Sequence, residues 1–588
     1  MSRTAFLVGV LALTVVATVA TAGDQTISTN TVWSGTVTVD GTVTVNSNAN
    51  LTIQPGTIVN FVGTGNINFV SGGLFSAQGT AAAPIQFNGT QTGGMTGNPS
   101  GVVMNNCAFA GLGVRTGSTK WFYLRPSSAS SGFSMTNCTV NNVGPMMTYG
   151  AGTVTATGNN IQNIGELDLW TSTASQVNLL NNKIQTCGYI YTNSTAGAQV
   201  SHNVIIDGQL WVNGGSNATA ANYVVEDNYI HGTYNGPASE SLLVHTLATI
   251  RNNVIRGGEW GLNDVGGKIS NNVMECFTAA ERALRGNDPT HEPFTLPKDG
   301  AVVERNILLN SGYAGIITAG SNLGTNCVFR NNTLDQRGGT APMMEFNHLP
   351  SGKGSNINIR NNLFLRGGRF YDESNWTSGG YADTISYVDY NAWGGMAVDS
   401  RNPTSQRFIG IQMTGKNEGD DGFGMHDILL PGGSTVNTAS LVANADFVDP
   451  YSDADMLAGT HTTAQLLSLY QQAYTPVAGS ALINAGSPTD ASDPAVTYGQ
   501  VDIGAVELSL LPGDTDMDRK VTFADYIVLE RNFGATNATW AMGDFNGDGK
   551  VTFADYIILE GGFGKSVPEP MTLSLLAIGA VALLRRRR

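Results

Sequence analysis

The stretch VNLLNNKIQTCGYIYTNSTAGAQVSHNVII, residues 177–206, contains two copies of one unit. Each copy is a short segment of alternating apolar residues, followed by an asparagine, any residue and an aliphatic residue. The asparagines here are Asn182 and Asn203, and the unit recurs at steps of 19 to 34 residues. Further copies have their asparagine at Asn159, Asn228, Asn253, Asn272, Asn306, Asn332, Asn362 and Asn391, and Cys107 and Cys138 hold the same position earlier.

This repeat predicts an all-β parallel solenoid. A coil of this length cannot bury its apolar face alone, so neighbouring coils must stack. An asparagine at the same corner of every coil can pass side-chain hydrogen bonds between strands about 4.8 Å apart. Asparagine also tolerates the left-handed backbone of a sharp corner. The alternative is a β-sandwich, which would give hairpin signals every ~8–12 residues and no fixed asparagine register.

Two other segments carry a family resemblance. Residues 51–61 (LTIQPGTIVNF) and 74–87 resemble the opening coils of right-handed parallel β-helix proteins of the pectate-lyase-like class. Residues 478–507 resemble the segment that closes such domains. The resemblance covers roughly residues 25–508 and implies a right-handed β-helix, which we expect over residues 23–508. It implies no single activity, because this class includes lyases, hydrolases, epimerases and adhesins.

Composition and charge exclude several classes of function. Charged residues make up 13% of the chain and the net charge is −15. A nucleic-acid partner would need clustered lysine and arginine, so we expect none. The five cysteines form no C-x-x-C pair, which leaves zinc or thioredoxin-like chemistry unsupported, and their odd number argues against a disulfide framework.

The first 22 residues have the pattern of a signal peptide. Arg3 supplies the positive start, residues 5–19 are apolar, and Ala-Thr-Ala at 20–22 is a small-residue cleavage site. A short membrane anchor is the alternative, but the apolar run is brief. We therefore expect a secreted protein.

The last 22 residues, 567–588, have the pattern of a second targeting signal. Val-Pro-Glu-Pro at 567–570 precedes an apolar run at 571–584 and four arginines at 585–588. The run is short for a spanning helix, and the arginines favour the cytoplasmic side. This order resembles the PEP-CTERM sorting signal. The resemblance implies a C-terminal apolar helix that meets the membrane only transiently. It also implies that an exosortase-type enzyme removes the tail and delivers the protein to the cell envelope or extracellular matrix. A plain tail anchor is the alternative.

Two Asp-rich loops lie 30 residues apart before the tail. Side-chain oxygens at loop positions 1, 3, 5, 9 and 12, with a backbone carbonyl at position 7, match the EF-hand scheme for Ca²⁺. The predicted ligands are Asp514, Asp516, Asp518, Lys520 (carbonyl), Thr522 and Asp525 in loop one, and Asp544, Asn546, Asp548, Lys550 (carbonyl), Thr552 and Asp555 in loop two.

These loops resemble type I dockerin. Residues 520–534 and 550–564 share 12 of 15 positions, and each copy predicts one short helix after its loop. The resemblance implies an EF-hand-like, all-α module at 509–566 that binds a cohesin-like partner, often in polysaccharide-degrading assemblies. Arg519 stands where position 6 is usually glycine, so we expect weaker calcium binding in loop one.

Strands predicted at 166–170, 189–193 and 209–213 suggest where a polysaccharide binds. Alternation directs Leu, Ile and Val inward and leaves polar and aromatic side chains on one outer face. Stacked coils would align aromatic rings with amides and carboxylates, which suits the apolar faces and hydroxyl edges of sugars. An ordinary solvated face is the alternative. The predicted sugar-binding residues are Asp168, Trp170, Tyr191, Trp211 and Asn213.

The charged insertion at 277–300 interrupts the repeat, and the charged residues before it are the best catalytic candidates: Arg256, Asp264 and Glu275. A polysaccharide lyase needs a base and a group that neutralises a carboxylate, whereas a hydrolase needs two carboxyls. Ordinary surface ion pairs are the alternative, and no pattern is specific to one enzyme family. The sequence thus leaves two functions open: a lyase, hydrolase or binding relative that acts on polysaccharide, and a structural or adhesive surface protein.

Overall fold

The computed structural model describes residues 16–90, 93–113, 120–128, 132–171, 175–214, 221–232, 240–257, 260–275, 300–310, 316–318, 326–338, 343–346, 356–372, 385–396, 407–409, 416–431, 435–490, 500–508, 511–517 and 520–565. The predicted parallel β-solenoid is confirmed. Its coils stack in register, so that Ile161 pairs with Ile184, which pairs with Ile205.

The coils form three parallel ladders, A, B and C, of which, among the described strands, A and B continue through the later coils while C ends at Trp260–Ser270. Ladder A precedes the asparagine corner. Its strands are the first part of Thr31–Val39, then Leu51–Ile53, Leu74–Gln78, Gly101–Asn105, Phe133–Thr136, Val154–Thr157, Val177–Leu180, Ala198–Ser201, Tyr223–Glu226, the last parts of Glu240–Arg251 and Trp260–Ser270, Val302–Glu304, Val328–Arg330, Ile357–Arg360 and Ile385–Asp389.

Ladder B follows the corner. It begins with the last part of Val16–Ala22, whose first two residues pair with ladder A, so the end of the predicted signal peptide is a strand in this structure. Its other strands are the last part of Thr31–Val39, Ile58–Phe61, Ile85–Asn88, Cys107–Ala110, Thr139–Val143, the first parts of Asn160–Thr171 and Lys183–Ser194, Val204–Ile206, Tyr229–Gly232, Val254–Gly257, Val273–Glu275, Ile307–Leu309, Thr333–Asp335, Leu363–Leu365, Ala392–Gly394 and Ile428–Leu429.

Ladder C completes the coil. It contains Gln25–Ile27, Thr42–Val45, Asn66–Phe69, Gly94–Gly97, Phe122–Leu124, Met146–Gly150, the last parts of Asn160–Thr171 and Lys183–Ser194, Gln209–Gly214, and the first parts of Glu240–Arg251 and Trp260–Ser270. A separate sheet follows with Ile316–Thr318, Met344–Phe346, Phe370–Asp372 and Phe408–Ile409.

The corner asparagines form a buried hydrogen-bonded column. Oδ1 of Asn182 accepts from the backbone N and from Nδ2 of Asn159, at 3.0 and 2.8 Å. The left-handed backbone belongs instead to the preceding residue, such as Asn181 (φ 56°) or His202 (φ 57°). From the sequence, both the hydrogen bonds and the left-handed backbone are expected of one asparagine. In the structure the asparagine makes the hydrogen bonds, and the residue before it has the left-handed backbone.

A carboxylate ends this column. Oδ1 of Asp427 accepts from the backbone N of Asn391 at 2.8 Å, and Oδ2 accepts from Nε1 of Trp393 at 2.8 Å and pairs with Arg407 at 3.0 Å. Burial raises the pKa of Asp427 to about 6, against the opposing effects of Asn391 and Arg407. The last described coil thus contains a buried acid with a raised pKa.

Residues 435–490 and 500–508, here called the C-terminal strap, lie along the outer face of ladder B from Val204 onward. The strap includes helices α1 (Asp453–Ala458) and α2 (Thr463–Ala473) and two short 3-10 turns, Thr438–Ser440 and Pro488–Asp490. Apolar ladder B residues such as Val254 and Val273 share a buried cluster with Leu466 and Tyr470. From the sequence, the segment 478–507 is expected to close the solenoid. Its described residues, 478–490 and 500–507, belong to this strap and return to earlier coils, where the backbone N of Gly504 donates to the carbonyl of Asn361 at 2.9 Å. The apolar outer face of ladder B requires this cover.

The C-terminal module contains two similar halves. Helices α3 (Phe523–Asn532) and α4 (Phe553–Gly562) follow the two loops, and a short 3-10 turn, Trp540–Met542, lies between them. Corresponding backbone bonds join the halves: Gly534 donates to Val551 at 2.8 Å, and Gly564 donates to Val521 at 2.9 Å. Within the described ranges, no helix is long and apolar enough to cross a membrane. The predicted apolar tail helix, at 567–588, lies outside those ranges.

Candidate functional site

The outer face of ladder C carries a cluster of polar and aromatic side chains that we call the ladder C strip. The in-register pairing places Asp168 beside Tyr191 and Tyr191 beside Trp211 on successive coils. Two positions along, Trp170, Asn193 and Asn213 form a parallel row. The strip consists of Tyr149, Glu166, Asp168, Trp170, Tyr189, Tyr191, Asn193, Gln209, Trp211 and Asn213.

Aromatic rings dominate the centre of the strip. The ring centroids of Tyr191 and Trp211 are 5.1 Å apart, and that of Tyr189 lies 5.6 Å from Tyr191 and 5.7 Å from Trp211. Tyr149 and Trp170 form a second contact at 6.0 Å. Tyr189 is 42% exposed, so the cluster presents ring surface to solvent while its members hold one another in place.

A charged group borders these rings. Nζ of Lys120 lies 3.3 Å from Oε2 of Glu166 and also contacts Oδ2 of Asp168. Burial raises the pKa of Asp168 to about 6, and the nearby charge of Glu166 acts in the same direction. Burial opposes the charge on Lys120, but its two carboxylate partners raise its pKa above the ordinary value. Lys120 therefore stays protonated at neutral pH.

Several buried polar atoms of the strip are unpaired. Asp168 is 3% exposed, and its Oδ1 has no hydrogen-bond partner within the described part of the chain. The same holds for Nε1 of Trp170 and Oε1 of Gln209. Buried polar atoms are usually satisfied in proteins. Their concentration on one outer face marks this face as a place where a ligand can supply partners.

All five predicted sugar-binding residues lie on this face, namely Asp168, Trp170, Tyr191, Trp211 and Asn213. Sequence reasoning missed Lys120, Tyr149, Glu166, Tyr189, Asn193 and Gln209. Three of these precede the predicted residues by two positions, so strand alternation extended by one step would have found them. Lys120 comes from an earlier coil, and no repeat signal marks it.

Two of the three catalytic candidates lie beneath the C-terminal strap. Nε of Arg256 lies 3.2 Å from Oε2 of Glu275, and NH1 of Arg256 lies 2.8 Å from Oδ2 of Asp449 in the strap. The hydroxyl of Tyr470 donates to Oε2 of Glu275 at 2.7 Å. These charges are engaged in attaching the strap to ladder B.

The third candidate is separated from them. Asp264 lies at the register shift between the ladder C part and the ladder A part of Trp260–Ser270, whereas Arg256 and Glu275 are in-register partners on ladder B. The side chain of Asp264 and most of the charged insertion, residues 276–299, lie outside the described ranges. The structure therefore does not bring the three candidates together on one ladder.

Loop one of the C-terminal module has the donor set of a calcium site. Carboxylate oxygens of Asp514, Asp516 and Asp525 all lie within 4.8 Å of one another. Hard oxygen ligands converging on one point are what Ca²⁺ requires. Asp518, the predicted ligand at position 5, and Arg519, which is expected to weaken calcium binding, lie outside the described ranges. Met517 has φ 59°, where loop two has Gly547.

Loop two is organised by its first ligand. Oδ1 of Asp544 accepts from the backbone N of Gly547 at 2.9 Å, and Oδ2 accepts from that of Gly549 at 2.8 Å. Burial, and then the nearby charge of Asp555, raise the pKa of Asp544 above its usual value. A cation among these carboxylates would relieve that repulsion, so the residues present fit Ca²⁺.

Position 9 of each loop has an additional role. Thr522 and Thr552 are the N-caps of α3 and α4, and each hydroxyl accepts from a backbone N two residues later at 3.2 Å. Each hydroxyl also donates to the position 12 carboxylate, Asp525 or Asp555, at 3.1 Å. These two threonines thus tie each Asp-rich loop to its following helix.

Comparison with known proteins covers two parts of the chain. Solved structures similar to the solenoid include the Dettilon tailspike protein gp208 (14% identity, TM-score 0.24, 51% of this chain and 59% of that one). A mannuronic acid specific polysaccharide family 6 lyase from human gut microbiota has 14% identity and a TM-score of 0.30, over 64% and 86% of the two chains. Pectate lyase Pel9A has 13% identity and a TM-score of 0.25, over 77% and 88%. Likeness at this level carries no information on activity.

No curated protein matches the chain significantly. Residues 512–561 match the family described as Dockerin type I domain, which agrees with the resemblance of the two loops and their helices.

Proposed function

We propose that this is a secreted, envelope-associated protein that binds polysaccharide on the ladder C strip and attaches to a cohesin-like partner through its calcium-binding C-terminal module. The observation that carries the proposal is the strip itself. It combines the ring cluster of Tyr189, Tyr191 and Trp211 with unpaired buried polar atoms on neighbouring residues.

This combination suits sugars better than other ligands. Ring faces pack against the C–H surfaces of a sugar, while unpaired acceptors and an indole N–H can bond its hydroxyls. Successive coils repeat these groups along the solenoid axis, which suits a polymer of repeated units. From Val204 onward, ladder B is unavailable for this role, because the strap covers its outer face there.

Whether the strip also cleaves its ligand depends on Glu166 and Asp168. Eliminative cleavage needs an unprotonated base, and the raised pKa of Lys120 removes that residue from the role. Two carboxyls in different environments are instead the requirement for glycoside hydrolysis. Glu166 and Asp168 both contact the one Nζ of Lys120, so the strip favours binding over either form of cleavage.

One observation favours the second candidate function, a non-catalytic structural or adhesive surface protein. Arg256 and Glu275, the charged pair expected to act in catalysis, are bound to Asp449 and Tyr470 of the strap. If these charged residues only attach the strap to the solenoid, the solenoid can act as a display scaffold. The ladder C strip would then be its adhesive surface.

The C-terminal module offers a surface for a protein partner. Exposed phenylalanines recur at corresponding positions of its two halves: Phe523 and Phe553 are each 64% exposed, and Phe533 and Phe563 are 56% and 52% exposed. Ca²⁺ held by Asp514, Asp516 and Asp525, and by Asp544 and Asp555, would fix the loops from which α3 and α4 start. The proposal also includes two processing steps, which rest on the sequence patterns of the two ends. Residues 1–22 are removed as a signal peptide, and an exosortase-type enzyme removes the tail.

The test is to incubate the purified chain with acidic and neutral polysaccharides and to measure binding and chain ends. New reducing ends without unsaturation indicate hydrolysis, unsaturated uronate ends indicate a lyase, and binding without new ends indicates the adhesive role. Absence of binding to every polysaccharide would contradict the proposal.

A further inference from the structure

At the centre of the ladder C strip, the positive charge is already paired with carboxylates of the protein. Among the described residues, Lys120 is the cation at this point, and it is shared by Glu166 and Asp168. The other nearby cation, Arg125, lies at the margin, with its guanidinium carbon 5.3 Å from the ring centroid of Tyr149. A ligand that crosses the central rings therefore meets the partly exposed Glu166 and an ammonium that is already paired, with the buried carboxylate of Asp168 directly behind them.

The unpaired atoms of the strip specify the complementary hydrogen-bonding groups. Oδ1 of Asp168 and Oε1 of Gln209 are acceptors, and Nε1 of Trp170 is a donor. A sugar hydroxyl both donates and accepts, so hydroxyls can satisfy all three atoms. A carboxylate offers only acceptors and would leave Asp168 and Gln209 unpaired in a partly dehydrated place, which is costly.

We infer that the strip takes uncharged, hydroxyl-rich glycan chains and rejects polyuronates, an inference that rests on the proposed binding function of the strip. A polyuronate carries one carboxylate on every sugar, so it must place carboxylates beside Glu166 and Asp168. Like charges brought together at a partly buried contact oppose binding, and unpaired acceptors add to that discrimination. Ring stacking is available to both kinds of polymer and does not discriminate between them.

The experiment compares polymers that differ only in charge. Polygalacturonate and alginate are each measured beside their carboxyl-reduced forms, which keep the linkage and lose the charge. Uncharged glucans, mannans and xylans are run alongside, all with the full chain in the presence of chelator, because calcium associates polyuronates. We expect an uncharged polymer to bind at least about tenfold more tightly than any polyuronate at low salt, and added salt to narrow the difference.

The Glu166→Gln/Asp168→Asn variant tests the cause. It keeps the size of both side chains and removes both charges, so the preference for the uncharged form should fall about tenfold or disappear. A polyuronate that binds the wild type as tightly as its reduced form would overturn the inference, and so would a preference that survives in the variant. If no polymer binds, the proposed function fails together with the inference, whereas binding confined to polyuronates overturns the inference alone.

Discussion

Oδ1 of Asn253 accepts two hydrogen bonds from Asn228, one from its backbone N at 3.0 Å and one from its Nδ2 at 2.9 Å. Asn228 receives the same pair from Asn203, and its Nδ2 also donates to the carbonyl of Val200 at 2.9 Å. Each corner amide thus satisfies buried groups on the coils before and after it. Loss of one amide leaves several buried partners unpaired.

Replacement of one column residue should therefore destabilise the solenoid strongly. For Asn228→Ala we expect a loss on the order of 3 kcal/mol, since buried donors and acceptors are left unpaired. The matched control is Asp227→Gly at the adjacent left-handed position (φ 57°), where glycine relieves backbone strain and the change should stay within about 1 kcal/mol. Chemical denaturation followed by circular dichroism measures both, and equal losses would refute the division of roles at the corner.

The sequence predicts the register of the solenoid well because the column tolerates little variation. From Asn159 to Asn391 the side chain that donates to one coil and accepts from another is always asparagine, and the other residues of the column, Cys107, Cys138 and Asp427, lie at its ends. The left-handed residue before it is different, since Asn181, His202, Arg305 and Tyr390 all occupy this position. Their side chains take no part in the column, so no repeat marks the position in the sequence.

Glu275 tests the structural role of the charged pair beneath the strap. Glu275→Gln should lower the free energy of unfolding by on the order of 3 kcal/mol, because Arg256 and Arg337 lose a charged partner at a largely buried contact. Polysaccharide binding, measured by calorimetry on the folded variant, should stay unchanged. Loss of binding or turnover at unchanged stability would instead support the catalytic assignment.

The contacts between the strap and ladder B could not be predicted from the sequence. Arg256 and Glu275 are conspicuous because they precede a charged insertion, but their partner Asp449 is 193 residues further along than Arg256. Periodic patterns report contacts between neighbouring coils. They carry no information on a segment that returns along the outside.

Asp427 should make stability depend on pH. Its pKa rises from the ordinary 3.8 to about 6 on folding, so between these values the folded state holds a proton that the unfolded state has released. The contribution of Asp427 is then fully present below about pH 4 and is lost as the pH rises through 6. In Asp427→Asn the fall in the free energy of unfolding between about pH 4 and pH 6 that is due to Asp427 should be absent, whether or not the variant is less stable overall. Denaturation curves from pH 4 to 7 measure it, and parallel slopes for wild type and variant would contradict the assignment.

The two calcium loops should differ in affinity. Loop one has Met517 in the left-handed region and Arg519 at position 6, where loop two has Gly547 and Gly549. Met517→Gly/Arg519→Gly should tighten binding in loop one by a few-fold, while Asp555→Ala should abolish the tighter binding step in loop two.

Terbium luminescence can separate these steps. Nε1 of Trp540 donates to the carbonyl of Asp514 at 2.6 Å, so excitation of this indole should sensitise an ion in loop one. Asp525→Ala serves as the control that removes the signal. Identical titrations for wild type and the double glycine variant would show that these two residues do not limit loop one.

The most direct test of the central claim is the affinity of the full chain for polysaccharide after removal of the strip rings. Calorimetry with the tightest-binding polysaccharide of the panel compares wild type, Tyr191→Ala/Trp211→Ala and Gln199→Ala, a control on the outer face of ladder A. We predict at least about a tenfold loss for the ring variant, since each aromatic contact is worth about 0.5–1.5 kcal/mol, and no change for the control. Unchanged affinity in a folded ring variant, or an equal loss in the control, would contradict the assignment of the ladder C strip as the binding site.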